Sequence, residues 1–203
     1  MIWQDGDVAT ATARSDTRSV AELTTVLFGE ALSMDQVLAR LQDVEVPVSE
    51  TPKATTGLWV GSIGYELHKD HPAFARHVRA AGVKRLIDVR ELPISRRRGY
   101  AKSALAEALT DAGVEYIHIR ALGNPKPFRD LYKSGRVKEG QRRYEEHLLG
   151  DQRGALEDLV PLLREKRAAL MCVEHDPATC HRTVIIQALR RELNLTLDVA
   201  EIG

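Results

Sequence analysis

From Leu58 onward, short apolar segments alternate with longer amphipathic ones, and this alternation limits the fold more than any other feature of the sequence. Strand-like segments fall at 58–63, 85–89, 114–119, 168–173 and 195–202, and helix-like segments at 70–81, 102–112, 136–149, 151 onward and 182–193. Strands and helices that alternate at this spacing are typical of βαβ units with right-handed crossovers. The pattern therefore predicts an α/β fold with a mainly parallel sheet and helices on both faces, in a Rossmann-like three-layer arrangement.

Residues 1–57 differ from the rest of the chain in charge and in pattern. They carry nine acidic and four basic residues, although the formal net charge of the whole chain is zero. Two short amphipathic segments, at 20–28 and 34–41, are followed by a stretch that contains Pro47 and Pro52. These features predict a partly disordered N-terminal extension with one or two short helices, followed by an α/β domain over 58–203.

The composition also indicates a location and a class of partner. No apolar run approaches the roughly 18 residues that span a bilayer, and the N-terminus has no apolar signal core. Two cysteines do not form a disulfide scaffold. We therefore expect a cytoplasmic protein without membrane contact. Residues 58–203 carry an excess of five basic residues, which favours an anionic small molecule or nucleic acid as partner. The sequence indicates neither a cofactor nor an oligomeric state.

Polar side chains follow four of the predicted strands at the points where the strands end. Because parallel strands end at one edge of the sheet, where ligands of such folds bind, we expect these side chains to lie together. The candidates for this site are Gly64, Tyr65, Asp88, Arg90, Ser95, Arg96, His118, Glu174, Cys180, His181 and Arg182.

Three of these candidates are suited to acid–base catalysis. Glu174 and His118 are residue types that transfer protons near neutral pH when their surroundings shift the pKa. Asp88 stands at the end of a buried strand, where an unpaired acid is costly. We interpret it either as a catalytic carboxylate or as a partner of an arginine in a structural ion pair.

Cys180, His181 and Arg182 stand at the predicted start of a helix. The free N–H groups and the positive dipole end of a helix bind anions and lower the pKa of a thiol. Three interpretations follow: an anion cradle with Arg182 as its clamp, a catalytic Cys180 thiolate, or a buried cysteine beside an arginine that pairs with Glu174 or Asp88.

A metal site is a further alternative. Cys172, His175, Cys180 and His181 lie close together in the sequence, but their spacing is not a standard zinc spacing. Cys172 lies in a strand interior, where a small apolar side chain is the simpler interpretation. The sequence therefore predicts no metal, and zinc binding or thiol redox chemistry by Cys172 and Cys180 remains an alternative.

Residues 90–102 contain five basic residues, one acidic residue and Tyr100. Basic residues mixed with an aromatic favour a nucleotide or nucleic acid, although a solvated basic loop has the same composition. Arg96 is a candidate phosphate ligand, whereas Arg97 is expected to be solvated. Ser95 lacks the Gly-x-Ser-x-Gly motif of a nucleophile and is expected to make a phosphate or a capping hydrogen bond. Gly61-x-x-Gly64 is not a full dinucleotide fingerprint, so NAD is not inferred.

Several short motifs occur in a characteristic order. They are Ser62-Ile-Gly-Tyr65, Asp88-Val-Arg90 with Pro93-x-Ser-Arg96, Tyr116-x-His118 with Leu122-Gly123, and Cys172-x-Glu174-x-Asp-Pro-x-x-Cys-His-Arg182. Over residues 58–202 the chain therefore resembles the domain of unknown function 488 family. The resemblance implies an α/β domain and supports the position of the site, but it implies no settled activity. Glu66 and Asn124 depart from the residues common in the family.

Three functions are consistent with these observations. The leading hypothesis is a protein that binds a phosphate-bearing ligand, such as a nucleotide or nucleic acid, with hydrolase-type acid–base chemistry. The second is a non-catalytic module that binds nucleic acid or protein. The third is the thiol-redox or zinc protein. Whether the chain is an enzyme is not decided by the sequence.

Overall fold

Five parallel strands form one sheet in the computed structural model, which describes residues 57–203. The strand order is β3-β2-β4-β1-β5. The strands are β1 (Leu58–Gly64), β2 (Arg85–Asp88), β3 (Glu115–His118), β4 (Ala168–Cys172) and β5 (Leu197–Ile202). This arrangement confirms the predicted parallel sheet. The predicted N-terminal extension lies outside the described residues.

Six α-helices connect the strands within the described part of the chain. They are α1 (His71–Ala80), α2 (Lys102–Asp111), α3 (Lys126–Lys133), α4 (Val137–Leu149), α5 (Arg153–Glu165) and α6 (Arg182–Glu192). Short 3-10 turns occupy Arg120–Leu122 and Pro177–Thr179. None of the helices in these residues is long and apolar enough to cross a membrane.

Helix α3 is the one helix that the sequence analysis did not predict. Its signals are weak but present: Pro127 stands in the first turn, and Phe128, Leu131 and Tyr132 follow at helical spacing. The helix has only eight residues and none of them is buried. Its apolar pattern is therefore too short to distinguish it from a loop.

Two separate apolar cores show that helices cover both faces of the sheet. On one face, Phe74 of α1 and Leu105 of α2 pack with Leu86 of β2. On the other face, helices α4, α5 and α6 pack with Ile87 and Leu170. Neighbouring residues of one strand, such as Leu86 and Ile87, enter opposite cores because side chains alternate along a strand. The predicted three-layer fold is confirmed.

The strand order places a crevice between the ends of β2 and β4. These strands are neighbours, and Asp88 lies opposite Met171 in their register. The chain leaves β2 toward α2 on one face and leaves β4 toward α6 on the other face. Ligands of open α/β sheets bind where adjacent strands connect to opposite faces. The chemistry-bearing residues collect at this point.

Candidate metal centre and cleft

Four side chains that can ligate a metal converge between the end of β4 and the start of α6. One ligand atom from each of Cys172, Glu174, Cys180 and His181 lies within 4.8 Å of all the others. Cys172 is the last residue of β4, and Cys180 and His181 directly precede α6. The connecting loop folds back through the turn at Pro177–Thr179, whose N-terminus is capped by the Asp176 carboxylate. We call these four residues the thiol cluster.

The ring of His181 is held in one orientation. Its Nε2 atom lies 2.8 Å from the carbonyl oxygen of Val89, and because a carbonyl can only accept, Nε2 carries the hydrogen. In the neutral ring the other nitrogen, Nδ1, keeps its lone pair, and it lies 3.8 Å from the Sγ atom of Cys180. Histidines that bind metals typically donate their second ring N–H to a carbonyl or carboxylate in this way.

The cluster is buried and its groups affect one another's protonation. The Cys180 thiol donates to Oε2 of Glu174 at 3.2 Å. Burial raises the pKa of Glu174 to about 7 and raises the pKa of Cys180 well above its ordinary value. The Cys180 thiol and the His181 ring hold the pKa of Cys172 well below its usual range. A buried site cannot carry all of these groups as anions without a compensating cation, so protons are shared among them.

Asp88 has a structural ion-pair partner in Arg90. The carboxylate is fully buried and accepts from Nε and Nη2 of Arg90, at 2.9 and 2.6 Å. It also accepts from the Tyr116 hydroxyl at 2.6 Å. Asp88 therefore takes the ion-pair role that the sequence left open beside catalysis.

Arg182 is fully buried and donates to the protein through Nε and Nη2, whereas its buried Nη1 has no partner among the described residues. Its Nε donates to Oγ of Ser62 at 3.1 Å, and its Nη2 donates to the carbonyl oxygen of Glu174 at 2.9 Å. A side chain at Gly64 would start 1.8 Å from that same carbonyl oxygen, so the loop can lie there only because residue 64 is glycine. Arg182 and Gly64 thus position the loop that carries Glu174, and the predicted anion clamp stays a prediction.

The other predicted residues brace the loop after β2. His118 donates through Nε2 to the carbonyl oxygen of Arg90 at 2.8 Å. The Tyr65 hydroxyl accepts from Nη1 of Arg90 at 3.2 Å and donates to Oγ of Ser95 at 3.4 Å. Arg96 is exposed. These contacts connect the loop after β2 to the ends of β1 and β3.

Arg97 differs from the solvated side chain that the sequence suggested. Its Nη1 donates to the carbonyl oxygens of Tyr65, Glu66 and His68 at 2.9, 2.6 and 2.7 Å. These three carbonyls belong to the turn after β1, which approaches the basic loop only in the folded chain. The guanidinium therefore fixes that turn instead of being screened by water.

Three members of the thiol cluster, Cys172, Glu174 and His181, line a cleft of about 540 Å³. The other walls come from the loop after β2, from Asn124 and from helix α3. Of the residues predicted from the sequence, the structure brings Arg90, Glu174 and His181 together in this lining, with Cys180 directly behind them. Asp88 and Arg182 lie fully buried and do not line it.

Several residues of this cleft were not predicted from the sequence. Tyr132 and Arg129 lie on the unpredicted helix α3, and Asn124 was noted only as a departure from the family pattern. The zinc alternative included His175, but the cluster contains Glu174 in its place, and His175 is exposed. Side chains of alternate residues along a strand face the same side. Glu174 therefore faces the cluster together with Cys172, and His175 does not.

Comparison with known proteins identifies a family. The family model described as "Domain of unknown function DUF488" matches residues 71–189, which is more than half of the chain. No curated protein and no solved structure matches the chain. The matched region extends from α1 into α6 and contains all four residues of the thiol cluster. The chain belongs to the DUF488 family.

Proposed function

We propose that this protein is a metal-dependent hydrolase in which Cys172, Cys180 and His181 bind a zinc ion and Glu174 transfers protons beside it. The observation that carries the proposal is the orientation of His181. Its Nε2–H is committed to Val89, so Nδ1, which lies 3.8 Å from Sγ of Cys180, is the ring nitrogen left to bind an ion in the cluster. Thiols and an imidazole are the donor atoms that zinc prefers.

The spacing of the donor atoms supports a tetrahedral ion. With Zn–S bonds of about 2.3 Å and Zn–N bonds of about 2.0 Å, ligand atoms of a tetrahedral site lie about 3.5 to 3.8 Å apart. The Sγ of Cys180 and Nδ1 of His181 are 3.8 Å apart, and the whole cluster lies within 4.8 Å. The donor atoms therefore lie close to the separations that one tetrahedral ion requires.

The three proposed zinc ligands are more deeply buried than Glu174. The exposed fractions of Cys172, Cys180 and His181 are 5%, 1% and 4%, whereas Glu174 is half-buried and lines the cleft. Catalytic zinc sites have three protein ligands and a water in the fourth position. Nucleobase deaminases use one histidine and two cysteines as ligands, with a glutamate that is not a ligand as the acid–base group.

The chemistry of such a site is water activation. A zinc ion held by Cys172, Cys180 and His181 would supply a bound water of lowered pKa, and the Glu174 carboxylate would accept a proton from that water. The water oxygen would form a bond to an electrophilic carbon of the substrate. The bond from that carbon to the leaving group then breaks, and Glu174 returns the proton to the group that leaves. Water is consumed, and no oxidant or reductant is needed.

The proposal keeps the acid–base chemistry expected from the sequence but does not depend on a phosphate. Arg90 and Arg182, two of the arginines expected to hold an anion, donate to groups of the protein itself. Arg96 lies on the surface. Binding of a phosphate-bearing ligand and a non-catalytic binding role remain expectations. No contact among the described residues favours either of them.

Metal content tests the proposal. Protein purified from zinc-supplemented medium should contain one zinc per chain by mass spectrometry, and cobalt substitution should give thiolate-to-cobalt absorption. Cys172→Ala, Cys180→Ala and His181→Ala should each lose the metal. Glu174→Gln should retain it, because Glu174 is proposed as an acid–base group. Loss of zinc in Glu174→Gln would instead indicate a closed, structural four-ligand site.

His175→Ala is the matched control, since His175 is an exposed histidine next to the cluster but outside it. It should retain the full zinc content. A parent protein without zinc, in which Cys172 and Cys180 form a reversible disulfide, would overturn the proposal in favour of thiol redox chemistry.

A further inference from the structure

Two polar groups that line the cleft have no partner within the protein. Among the described residues, the Tyr132 hydroxyl and the Oδ1 atom of Asn124 are buried and accept or donate no hydrogen bond. Asn124 is 4% exposed. An unsatisfied buried polar group is destabilising, and native proteins keep few of them. Both residues line the same cleft as the thiol cluster, so a ligand in that cleft would supply the missing partners.

The position of Tyr132 is enforced by the neighbouring helix. A Cβ atom at Gly140 of α4 would lie 2.6 Å from the Tyr132 ring, so the ring packs directly on the backbone of α4. Tyr132 lines the same cleft as Cys172 and Glu174, and burial raises the pKa of its hydroxyl. The hydroxyl is therefore a fixed, protonated donor.

The cations of the cleft are engaged or solvated, so the cleft is poorly suited to an anion. Arg90 is paired with Asp88, and Arg129 lies 3.1 Å from Glu91. Lys133 is exposed. Apolar residues complete the lining, among them Leu92, Ile94 and Val173. The groups left for recognition are a neutral hydroxyl and a neutral amide between apolar walls.

We propose that the cleft binds a neutral, planar molecule with a carboxamide-type edge. The Asn124 amide and the Tyr132 hydroxyl recognise this edge. The carbonyl carbon of the carboxamide faces the thiol cluster. An amide offers one acceptor and two donors, which matches the donors and acceptors of a second amide. A volume of about 540 Å³ accommodates a ring system of nucleoside size. This inference rests on the proposed hydrolase function.

The inference specifies the bond that the proposed hydrolase cleaves. Water would form a bond through its oxygen to the carboxamide carbon, and the C–N bond would break. The nitrogen leaves as ammonia or an amine with the proton that Glu174 carried, and the carbon is left as a carboxylic acid. Tyr132 donates to the carbonyl oxygen, where negative charge develops during the attack.

Three probes with one aromatic body and different polar groups test this recognition: benzamide, benzoate and phenyl phosphate. Calorimetric titration of the zinc-loaded protein should show benzamide binding at least about tenfold more tightly than either anion, the effect of about one well-placed hydrogen bond. Tyr132→Phe should weaken benzamide binding about tenfold and leave the zinc content unchanged. Lys133→Ala should leave benzamide binding unchanged, because the exposed ammonium is not part of the proposed contact.

The outcomes separate the two proposals. Protein without zinc contradicts the proposed function, whatever it binds. Zinc-loaded protein that binds benzoate or phenyl phosphate as tightly as benzamide contradicts the inference alone, and so does equal benzamide affinity in the parent and Tyr132→Phe. Failure of all three probes to bind the zinc-loaded protein also overturns the inference.

Discussion

Two tyrosines of neighbouring helices use their hydroxyl groups in opposite ways. The Tyr144 hydroxyl is buried and donates to the carbonyl oxygen of Leu122 at 2.7 Å. The Tyr132 hydroxyl is buried and has no partner among the described residues. One hydroxyl therefore contributes to stability, and the other is available for binding.

This contrast predicts different stabilities for two conservative substitutions. Tyr144→Phe leaves the Leu122 carbonyl unsatisfied in the core and should lower the free energy of unfolding by about 1 to 3 kcal/mol. Tyr132→Phe removes a hydroxyl without a partner and should change the free energy of unfolding by less than about 0.5 kcal/mol. Urea unfolding of both variants measures this difference. Equal losses would mean that Tyr132 has an internal partner and is not a free donor.

The buried pair of Asp88 and Arg90 predicts a large effect on stability. Asp88→Ala leaves the Arg90 guanidinium buried without its counter-charge and should cost about 3 to 5 kcal/mol in the free energy of unfolding. The control is Glu157→Ala, which removes an exposed i,i+4 pair with Arg153 and should cost far less. A mild effect of Asp88→Ala, comparable with the control, would show that the carboxylate is not structural.

At the scale of elements, the packing of α3 on α4 depends on one glycine. Ordinarily, alanine in place of a helical glycine stabilises a protein by up to about 1 kcal/mol. At Gly140 the new Cβ would lie 2.6 Å from the Tyr132 ring, whereas at Gly154 of α5 it would meet nothing within 4 Å. Gly140→Ala must therefore displace α3 or the Tyr132 ring.

We expect Gly154→Ala to be neutral or stabilising and Gly140→Ala to be destabilising in thermal unfolding. Gly140→Ala should also weaken binding of benzamide by moving the Tyr132 hydroxyl. A Gly140→Ala protein as stable as Gly154→Ala would show that α3 is not packed on α4 as described.

The strands could be predicted from the sequence, but the short elements of the cleft could not. The segment 168–173 is apolar throughout because β4 is buried on both faces of the sheet. Helix α3 buries no residue, so its pattern contains no comparable signal. The cleft residue Tyr132 was missed for this reason.

The roles of individual site residues also depended on contacts distant in sequence. The sequence predicted Glu174, Cys180 and His181 at one edge of the sheet, since parallel strands all end at the same edge. It could not show that Arg182 turns inward to Ser62, which is 120 residues away, or that Glu174 replaces His175 in the cluster. Tertiary packing, and not the local sequence pattern, determines these contacts.

At the scale of the whole molecule, residues 58 to 202 supply an apolar core on each face of the sheet within the described part of the chain. A fragment of residues 58–203 should therefore fold by itself, with a cooperative unfolding transition and the zinc content of the full chain. Circular dichroism and metal analysis of this fragment provide the check. An insoluble or molten fragment would show that residues 1–57 cover part of a core.

The most direct measurement of the central claim is zinc K-edge X-ray absorption of the full-length protein. The proposed site predicts two sulfur ligands at about 2.3 Å and two lighter ligands at about 2.0 Å, one from His181 and one from water. In Cys172→Ser and Cys180→Ser the sulfur contribution should fall or the metal should be lost. A coordination shell of nitrogen and oxygen alone, or a protein that takes up no zinc, would contradict the account.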